Sequence, residues 1–290
     1  MAKTFTIQDF FSRFPTDAAC LDHLMKVRYG ELQTCPKCGK HGRFAKLSKS
    51  PAYSCPWCGH HIHPMVGTPF ERSSTPLQKW FYAMYMFTTT RNGVAAKELQ
   101  RQLGVTYKTA WRIGHELRKY MGFVDGDIQL GGPGRPPVEI DKAFIGGHDK
   151  IGHDDKTVVL GMAERDGGDV LTRIIQDRTG RTILPHVVEW VRPGARVMTD
   201  SARVFIDLAW GDAYQHSAVN HMAKEYVRGD VHTNTIEAFW AALKRGINGT
   251  HIWVSPKHLQ KYLWEFEFRH NLRRQPHLMF DLLCLAFPRP

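Results

Sequence analysis

The sequence predicts a multidomain protein with a small cysteine-rich domain, a helical region and a C-terminal α/β domain. Three observations lead to this prediction. Two Cys-x2-Cys pairs lie near the N-terminus, residues 77–121 repeat their apolar side chains with helical spacing, and β-branched runs alternate with helical patterns after residue 138. The 290 residues are also enough for more than one hydrophobic core.

The composition excludes several classes of protein. Charged residues make up 23% and aromatic residues 11% of the chain, which is typical of a globular rather than a disordered protein. No run of about 18 apolar residues is present, and Asp9 interrupts the region where a signal peptide would be continuously apolar. We therefore expect a cytoplasmic protein without membrane contacts, in which close cysteine pairs bind metal more readily than they form disulfides.

The charge of the chain indicates a polyanionic partner such as nucleic acid. The formal net charge is +11. Residues 1–130 hold 18 basic and 9 acidic side chains, and residues 224–290 hold 10 and 6, whereas residues 131–223 hold 11 and 13. We expect the basic ends to bind DNA and the slightly acidic middle to bind metal.

The cysteine spacing predicts a structural zinc site, because 16 residues separate the two pairs and a glycine after each pair permits a tight turn. Four thiolates complete a tetrahedral shell and leave no position for a substrate. The predicted ligands are Cys35, Cys38, Cys55 and Cys58. Three histidines are alternative ligands, surface residues or DNA contacts: His60, His61 and His63. Cys20 and Cys284 have no partner at ligand spacing and are expected to be buried apolar residues.

The helical region contains a pattern typical of a helix-turn-helix. Residues 77–90 are apolar and aromatic but too short to span a bilayer, so they predict a buried helix. After it, one apolar helical face ends at Leu103, Gly104 provides a turn, and Thr106 is positioned to cap a second helix. An ordinary helical hairpin is the alternative. In a DNA-binding unit the second helix would present four side chains to the major groove: Tyr107, Lys108, Thr109 and Arg112.

A Gly/Pro segment at residues 131–137, GGPGRPP, predicts a linker before the α/β part. Strand patterns follow over 138–147, 156–168, 169–177, 195–202 and 214–221. Helices are predicted over 181–191 and 233–247, with a shorter one between the last two strands. This order of elements predicts a mixed sheet with helices packed on it.

Three acidic residues occupy positions from which they can meet at one edge of this sheet. Asp141 interrupts an apolar strand, Asp200 closes another at its carboxyl end, and Glu237 opens the last helix. Carboxylates that converge from separate elements hold the two divalent ions used in many phosphoryl transfers. Lys244 follows Glu237 by seven residues, close to the same helical face, where it can bind a phosphate.

Each acid also has an ordinary structural explanation. Asp141 fits the solvent-facing side of an edge strand, and Glu139 is an alternative acid two residues earlier. Asp200 fits a turn or a helix cap. Asn234 and Glu237 fit the first and last positions of a capping box.

Several motifs follow one another in a specific order along the chain. The N-terminal half contains CPKCG, CPWCG, GTPFE and TPLQKWF, and the C-terminal half contains VEIDKAFIGG, VMTDSARVF, VHTNTIEAFWAALKRGINGT and PKHLQKYLWEFEFRHN. Together they resemble the DDE transposases of bacterial insertion sequences, in particular the ISXO-type group with a zinc ribbon, over roughly residues 15–275. The resemblance implies a ribonuclease H-like catalytic domain, with its first acid on the first strand, its second after the fourth and its third on a later helix.

The resemblance also implies a reaction and a set of site residues. Asp141, Asp200 and Glu237 would bind catalytic Mg²⁺ or Mn²⁺, with Asn234 as a second candidate at the third position because that position varies within the group. The reaction would be hydrolysis at the ends of the element, followed by attack of the freed 3′-hydroxyl on target DNA. Lys244 and Arg245 would contact DNA.

The resemblance further implies that the protein binds double-stranded DNA, both the element ends and the target. It also implies a homodimer or higher oligomer in the synaptic complex, and a location in the bacterial cytosol. Two other functions are compatible with the sequence: a DNA-binding regulator whose α/β domain is not catalytic, and a ribonuclease H-like nuclease without strand transfer. The predicted domains are a helical segment (1–30), the zinc ribbon (31–66), the helix-turn-helix region (67–130), the linker (131–137) and the catalytic domain (138–290).

Overall fold

The computed structural model describes residues 5–30, 32–125, 128–146, 156–200, 204–205, 213–220 and 223–287. The contacts divide the chain into two compact units. The first comprises Met1–Thr90, Ala96–Val124 and Gln275–Pro290, and the second comprises Arg91–Ala95 and Asp125–Arg274. The C-terminal residues, which the sequence assigns to the α/β domain, therefore pack with the N-terminal unit.

The described residues form the following elements in chain order. The helices are α1 (Ile7–Arg13), α2 (Asp17–Tyr29), α3 (Leu77–Thr89), α4 (Ala96–Leu103), α5 (Tyr107–Asp125), α6 (Gly180–Trp190), α7 (Asn234–Gly246), α8 (Pro256–Asn271) and α9 (Met279–Ala286). The strands are β1 (Ala45–Lys46), β2 (Tyr53–Ser54), β3 (His61–Ile62), β4 (Val138–Ile145), β5 (Thr157–Glu164), β6 (Val170–Ile174), β7 (Arg196–Asp200) and β8 (Gln215–Val219). No helix in this part of the chain is both long enough and apolar enough to cross a bilayer.

The first unit has an aromatic core beside a small antiparallel sheet of β1, β2 and β3. Phe14 packs edge-on against Phe81 of α3, with ring centroids 5.0 Å apart, and against Phe280 of α9 at 5.4 Å. The predicted buried helix is α3, whose apolar residues fill this core. Cys20 and Cys284 are both fully buried, as the sequence predicts.

The second unit contains a five-stranded mixed sheet in the order β6-β5-β4-β7-β8. β4, β5 and β6 pair antiparallel, whereas β7 and β8 run parallel to β4. α6 packs on one face, where Ile183 and Val187 join a core with Ile140, and α7 and α8 pack on the other. The predicted strands and long helices are present within a few residues of their expected bounds. The predicted short helix between β7 and β8 lies largely outside the described residues.

Side chains of α8 complete the hydrogen bonds of edge strand β6. Alternate backbone N–H groups of this strand donate to side-chain oxygens of α8 at 2.8 to 3.0 Å: those of Gln260, Glu267 and Asn271. The amides of Gln260 and Asn271 donate back to strand carbonyls. An exposed strand edge can pair with other chains, and this ladder of side chains covers it.

The segment 131–137 differs from the linker that the sequence predicts, because it is bonded into the second unit. The N–H of Gly131 donates to Glu164 Oε2 at 2.7 Å, and the guanidinium of Arg135 pairs with Glu164 Oε1 at 2.8 Å. Gly131 has a φ of +66°, and a Cβ there would lie 2.7 Å from a methyl group of Val138. The Gly/Pro residues therefore shape a packed turn at the start of β4, and the division between the units falls earlier, after Val124.

Candidate metal centres and nucleic-acid interface

The four predicted zinc ligands converge in the first unit. Their sulfur atoms all lie within 4.8 Å of one another, with Cys35 Sγ 3.8 Å from Cys58 Sγ and Cys38 Sγ 3.9 Å from Cys55 Sγ. Four ligands at a zinc–sulfur distance of about 2.3 Å in tetrahedral geometry place their sulfurs about 3.8 Å apart. The cluster therefore has the dimensions of a zinc site and includes none of the neighbouring histidines.

Two matching turns build this cluster. In each pair the N–H of the first cysteine donates to the carbonyl five residues later, and the N–H of the following glycine donates back to that cysteine's carbonyl. Gly39 and Gly59 have φ values of +69° and +67°, where glycine is favoured. Burial raises the pKa of the Cys55 thiol, but backbone N–H groups of Cys58 and Trp57 donate to its sulfur and bring the pKa down to about 7. The turns thus stabilise the thiolate that zinc requires.

The helices α4 and α5 enclose the predicted turn. Gly104 has a φ of +58°, and Thr106 Oγ1 accepts a hydrogen bond from the N–H of Thr109 at 3.2 Å, which is the predicted helix cap. The apolar faces of both helices are buried: Leu99, Leu103, Ala110, Ile113 and Leu117. The side chains predicted to face DNA lie on the outer surface of α5. Three of them are exposed, namely Tyr107, Lys108 and Arg112, and Thr109 is half-buried.

Asp141 and Asp200 are neighbours on parallel strands. The register pairs Val138 with Val197 and Ile140 with Thr199, so that Asp141 and Asp200 come next on β4 and β7. Both are half-buried. Burial raises the pKa of the Asp141 carboxyl, and the negative charge of Asp200 raises it further. Two carboxylates thus share a partly desolvated site, where a divalent cation would relieve their repulsion.

Trp240 of α7 holds one oxygen of Asp141. Its indole Nε1 donates to Asp141 Oδ2 at 3.1 Å, and the ring is nearly fully buried. The ring lies against Gly161, which pairs with Asp141 across β4 and β5, and a Cβ on Gly161 would overlap the indole. The apolar spacing of α7 places Trp240 in the core, but only the packing reveals its hydrogen bond. A glycine inside the β5 pattern is the one sequence signal for this close approach.

Glu139, the alternative acid, has a structural role. It is fully buried and accepts hydrogen bonds from the backbone N–H groups of Thr235 and Ile236 at 2.7 and 3.0 Å, in the first turn of α7. Arg165 Nε donates to the same carboxylate at 2.6 Å, and His232 Nδ1 lies 3.1 Å from it. Glu139 therefore anchors the start of α7 to β4, and both of its oxygens are engaged in these hydrogen bonds.

The predicted capping box of Asn234 and Glu237 is wrong. The N-cap of α7 is Thr233, and Asn234 is the first helical residue. Glu237 accordingly sits one position beyond the end of a capping box, and its Oε1 accepts a hydrogen bond from the Thr233 hydroxyl at 2.8 Å. The N–H of Glu237 donates to the carbonyl of Thr233 at 3.1 Å, and Glu139 accepts from the N–H groups of Thr235 and Ile236.

Two adjoining pockets share Asp141. The larger, of about 810 Å³, also contains Asp200 and Lys142, whose Nζ is 3.7 Å from Asp200 Oδ1. The smaller, of about 380 Å³, is lined by Glu237 and Lys244, both exposed on α7. Asn234 and Arg245 are exposed on α7 but line neither pocket. The larger pocket also contains Arg178, a residue that sequence reasoning missed.

The donors at these pockets suit a hard divalent cation. Among the described residues, only the four cysteines bring three or more ligand atoms within 4.8 Å of one another, so the three carboxylates do not converge to that spacing. Asp141 and Asp200 nevertheless present oxygen donors to the larger pocket, and Glu237 offers a further carboxylate in the smaller one. Oxygen donors are those that Mg²⁺ and Mn²⁺ prefer.

Comparison with protein-family models gives two matches. The model of the ISXO2-like transposase domain matches residues 129–271, and the model of the transposase zinc-ribbon domain matches residues 15–61. The first match covers both aspartates, Glu237 and Lys244, and the second covers all four cysteines.

Two curated proteins are similar to the chain. An uncharacterized protein in the transposable element ISH50 of Halobacterium salinarum is 28% identical over 288 residues, which span 91% of this chain and 94% of that protein. An uncharacterized transposase-like protein of Haemophilus influenzae is 30% identical over 105 residues, which span 35% of this chain and 80% of that protein. A chain in the simian T-cell lymphotropic virus intasome structure, a complex with PP2A regulatory subunit B56 gamma, aligns at 12% identity with a TM-score of 0.30 over 63% of this chain and 67% of that chain.

Proposed function

Because the chain belongs to the family of transposases with a zinc ribbon and an ISXO2-like transposase domain, we propose that it cleaves the ends of an insertion sequence and joins the freed 3′-hydroxyl to target DNA. One observation carries the proposal: Asp141 and Asp200 are adjacent on parallel strands and open onto pockets that also expose Glu237 and Lys244. The order of three antiparallel and two parallel strands, with α6 between β6 and β7, supports a ribonuclease H-like fold.

In this proposal Asp141, Asp200 and Glu237 hold Mg²⁺ or Mn²⁺, with Asn234 as an alternative third ligand. Such ions, when bound, stabilise the charge on the entering and leaving oxygens of a phosphoryl transfer. The surrounding residues keep the ligands in place. Trp240 donates a hydrogen bond to one oxygen of Asp141, whereas Lys244 provides a cation for a DNA phosphate.

The first unit supplies DNA recognition in this proposal. The zinc ribbon and the exposed side of α5 bind the terminal inverted repeats, with Tyr107, Lys108 and Arg112 toward the major groove and Thr109 beside them. Arg245 of α7 adds an exposed cation in the second unit. The protein would act on double-stranded DNA in the bacterial cytosol, as a dimer or higher oligomer that brings two element ends together.

Incubation of the purified protein with a labelled duplex that carries the terminal inverted repeat tests this function. We expect Mg²⁺-dependent release of a 3′ end at the repeat boundary, and joining of a pre-cleaved end to plasmid DNA. Cleavage without joining would identify a nuclease instead. Binding of the repeat without cleavage in either Mg²⁺ or Mn²⁺ would identify a regulator and overturn the proposal.

A further inference from the structure

Arg178 lies in the same pocket as Asp141 and Asp200, but the proposed reaction assigns it no role. The residue is exposed in the loop between β6 and α6. β4 and β6 are both antiparallel to β5, so β6 runs parallel to β4. Because β7 pairs parallel with β4, β6 also runs in the same direction as β7. The loop therefore emerges at the edge of the sheet where β7 ends at Asp200.

The path of this loop brings Arg178 over the end of β4. The N–H of Ile175 donates to the carbonyl of Val158 at 3.1 Å, and Val158 pairs with Phe144. Three residues after Ile175, the guanidinium carbon of Arg178 lies 5.4 Å from the centroid of the Phe144 ring. Phe144 is 42% exposed, so the ring provides an open platform for the cation.

The guanidinium has no ion-pair partner among the described residues. The adjacent Asp177 is bonded elsewhere, since its Oδ1 accepts from the N–H and the hydroxyl of Thr179 at 2.9 and 2.7 Å. These hydrogen bonds also lower the pKa of Asp177. Arg178 is thus a positive charge within cation–π distance of an aromatic ring, in the same pocket as two carboxylates with which it forms no ion pair.

We propose that Arg178 and Phe144 form a binding subsite for a DNA phosphodiester next to the scissile one. A guanidinium that stacks by its face keeps its N–H edge free for two parallel hydrogen bonds to phosphate oxygens. Asp141 lines both pockets, with Arg178 in one and Lys244 in the other, so the two cations hold the strand on either side of the carboxylates. This subsite rests on the proposed function, because its ligand is the DNA that the carboxylates would cleave.

Binding of DNA without added Mg²⁺ or Mn²⁺ tests the subsite independently of cleavage. Fluorescence anisotropy of the zinc-loaded protein, in buffer without Mg²⁺, Mn²⁺ or chelator, compares full-length Arg178→Ala with wild type on a duplex that extends across the repeat boundary. Loss of one charged contact weakens binding about tenfold and reduces the slope of log K against log salt by about 0.9. Arg181→Ala is the matched control, because Arg181 is exposed in the first turn of α6 but does not line the pocket.

Two further measurements separate a phosphate subsite from a general charge effect. The difference between Arg178→Ala and wild type should disappear on a duplex that stops short of the repeat boundary. Phe144→Leu, which keeps an apolar cover but removes the aromatic face, should weaken binding by a smaller factor than Arg178→Ala. An unchanged salt slope in Arg178→Ala, or an equal loss in Arg181→Ala, would overturn the subsite. Failure of the wild type to cleave would overturn the proposed function, but the binding measurements would still show whether Arg178 contacts DNA.

Discussion

The cysteine cluster and the aspartate pair are both groups of side chains with metal-binding chemistry, but the chain assembles them in different ways. Cys35 and Cys58 are 23 residues apart and come from two turns with the same local hydrogen bonds. Asp141 is held by Trp240, 99 residues further along, and lies beside Asp200 only because β4 and β7 pair in one register. The first site is determined by local spacing, whereas the second depends on buried contacts made by residues that are not ligands.

Removal of a cysteine is expected to have the largest effect. Structural zinc contributes roughly 10–16 kcal/mol of apparent binding energy in small zinc domains, so Cys55→Ser should abolish zinc binding and unfold the ribbon. Zinc content and limited proteolysis within residues 32–62 measure this. Cys20→Ala, which changes a buried cysteine outside the cluster, should retain the metal. Because zinc binds thiolates and protons compete for the same sulfurs, its affinity should fall as the pH decreases. Stoichiometric zinc in Cys55→Ser would contradict the assignment.

Neutralisation of Asp141 should separate catalysis from binding. Asp141→Asn should slow cleavage by about a thousandfold or more. The reason is that it removes a ligand of the proposed ions, which would stabilise the transition state by several kcal/mol. Anisotropy should show unchanged affinity for the repeat. Asp177→Asn is the control, because Asp177 lines the same pocket but bonds to Thr179. Comparable cleavage by Asp141→Asn and wild type would rule out the proposed site.

The anchor of α7 tests whether non-ligand contacts build the second site. Glu139→Ala removes a fully buried carboxylate and leaves Arg165 and two helix amides without their partner, which costs about 3–5 kcal/mol of unfolding free energy. Urea unfolding followed by circular dichroism measures the loss. Glu139→Gln should lose less, because it keeps an acceptor for the amides. A variant as stable as wild type would show that α7 is held by its apolar face alone.

The smallest effect is expected at Trp240. Trp240→Phe keeps the ring against Gly161 but removes the hydrogen bond to Asp141, a loss of about 0.5–1.5 kcal/mol. Calorimetric titration with Mn²⁺ should show a severalfold weaker affinity, with the melting temperature lowered by only about 2–4 °C. Trp190→Phe, on α6 at the other face of the sheet, is the control. Equal Mn²⁺ affinities of the two variants would remove Trp240 from the site.

Most of the secondary structure follows from local patterns. The strands of the second unit alternate with turn residues, and α7 shows its apolar face in Ile236, Phe239 and Leu243, so both were predictable. The prediction differs from the structure at residues 131–137 because their Gly and Pro content indicates a turn without showing whether that turn is packed. The capping-box alternative for Asn234 and Glu237 fails because α7 begins one residue earlier, with Thr233 as its N-cap, and a distant carboxylate, Glu139, bonds the N–H groups of Thr235 and Ile236.

The sequence by itself determined the zinc ligands, the order of strands and helices and the family, because spacing, periodicity and motif order are local properties of the chain. Only the tertiary structure decided which groups surround the acidic residues of the second unit. Glu139 and Asp141 lie two residues apart on β4 and look equivalent in the sequence. Packing of α7 buries Glu139 under helix amides and Arg165, while the register with β7 places Asp141 beside Asp200. Which carboxylate can bind a metal depends on its neighbours in space, and those neighbours come from elements 26 to 99 residues away along the chain.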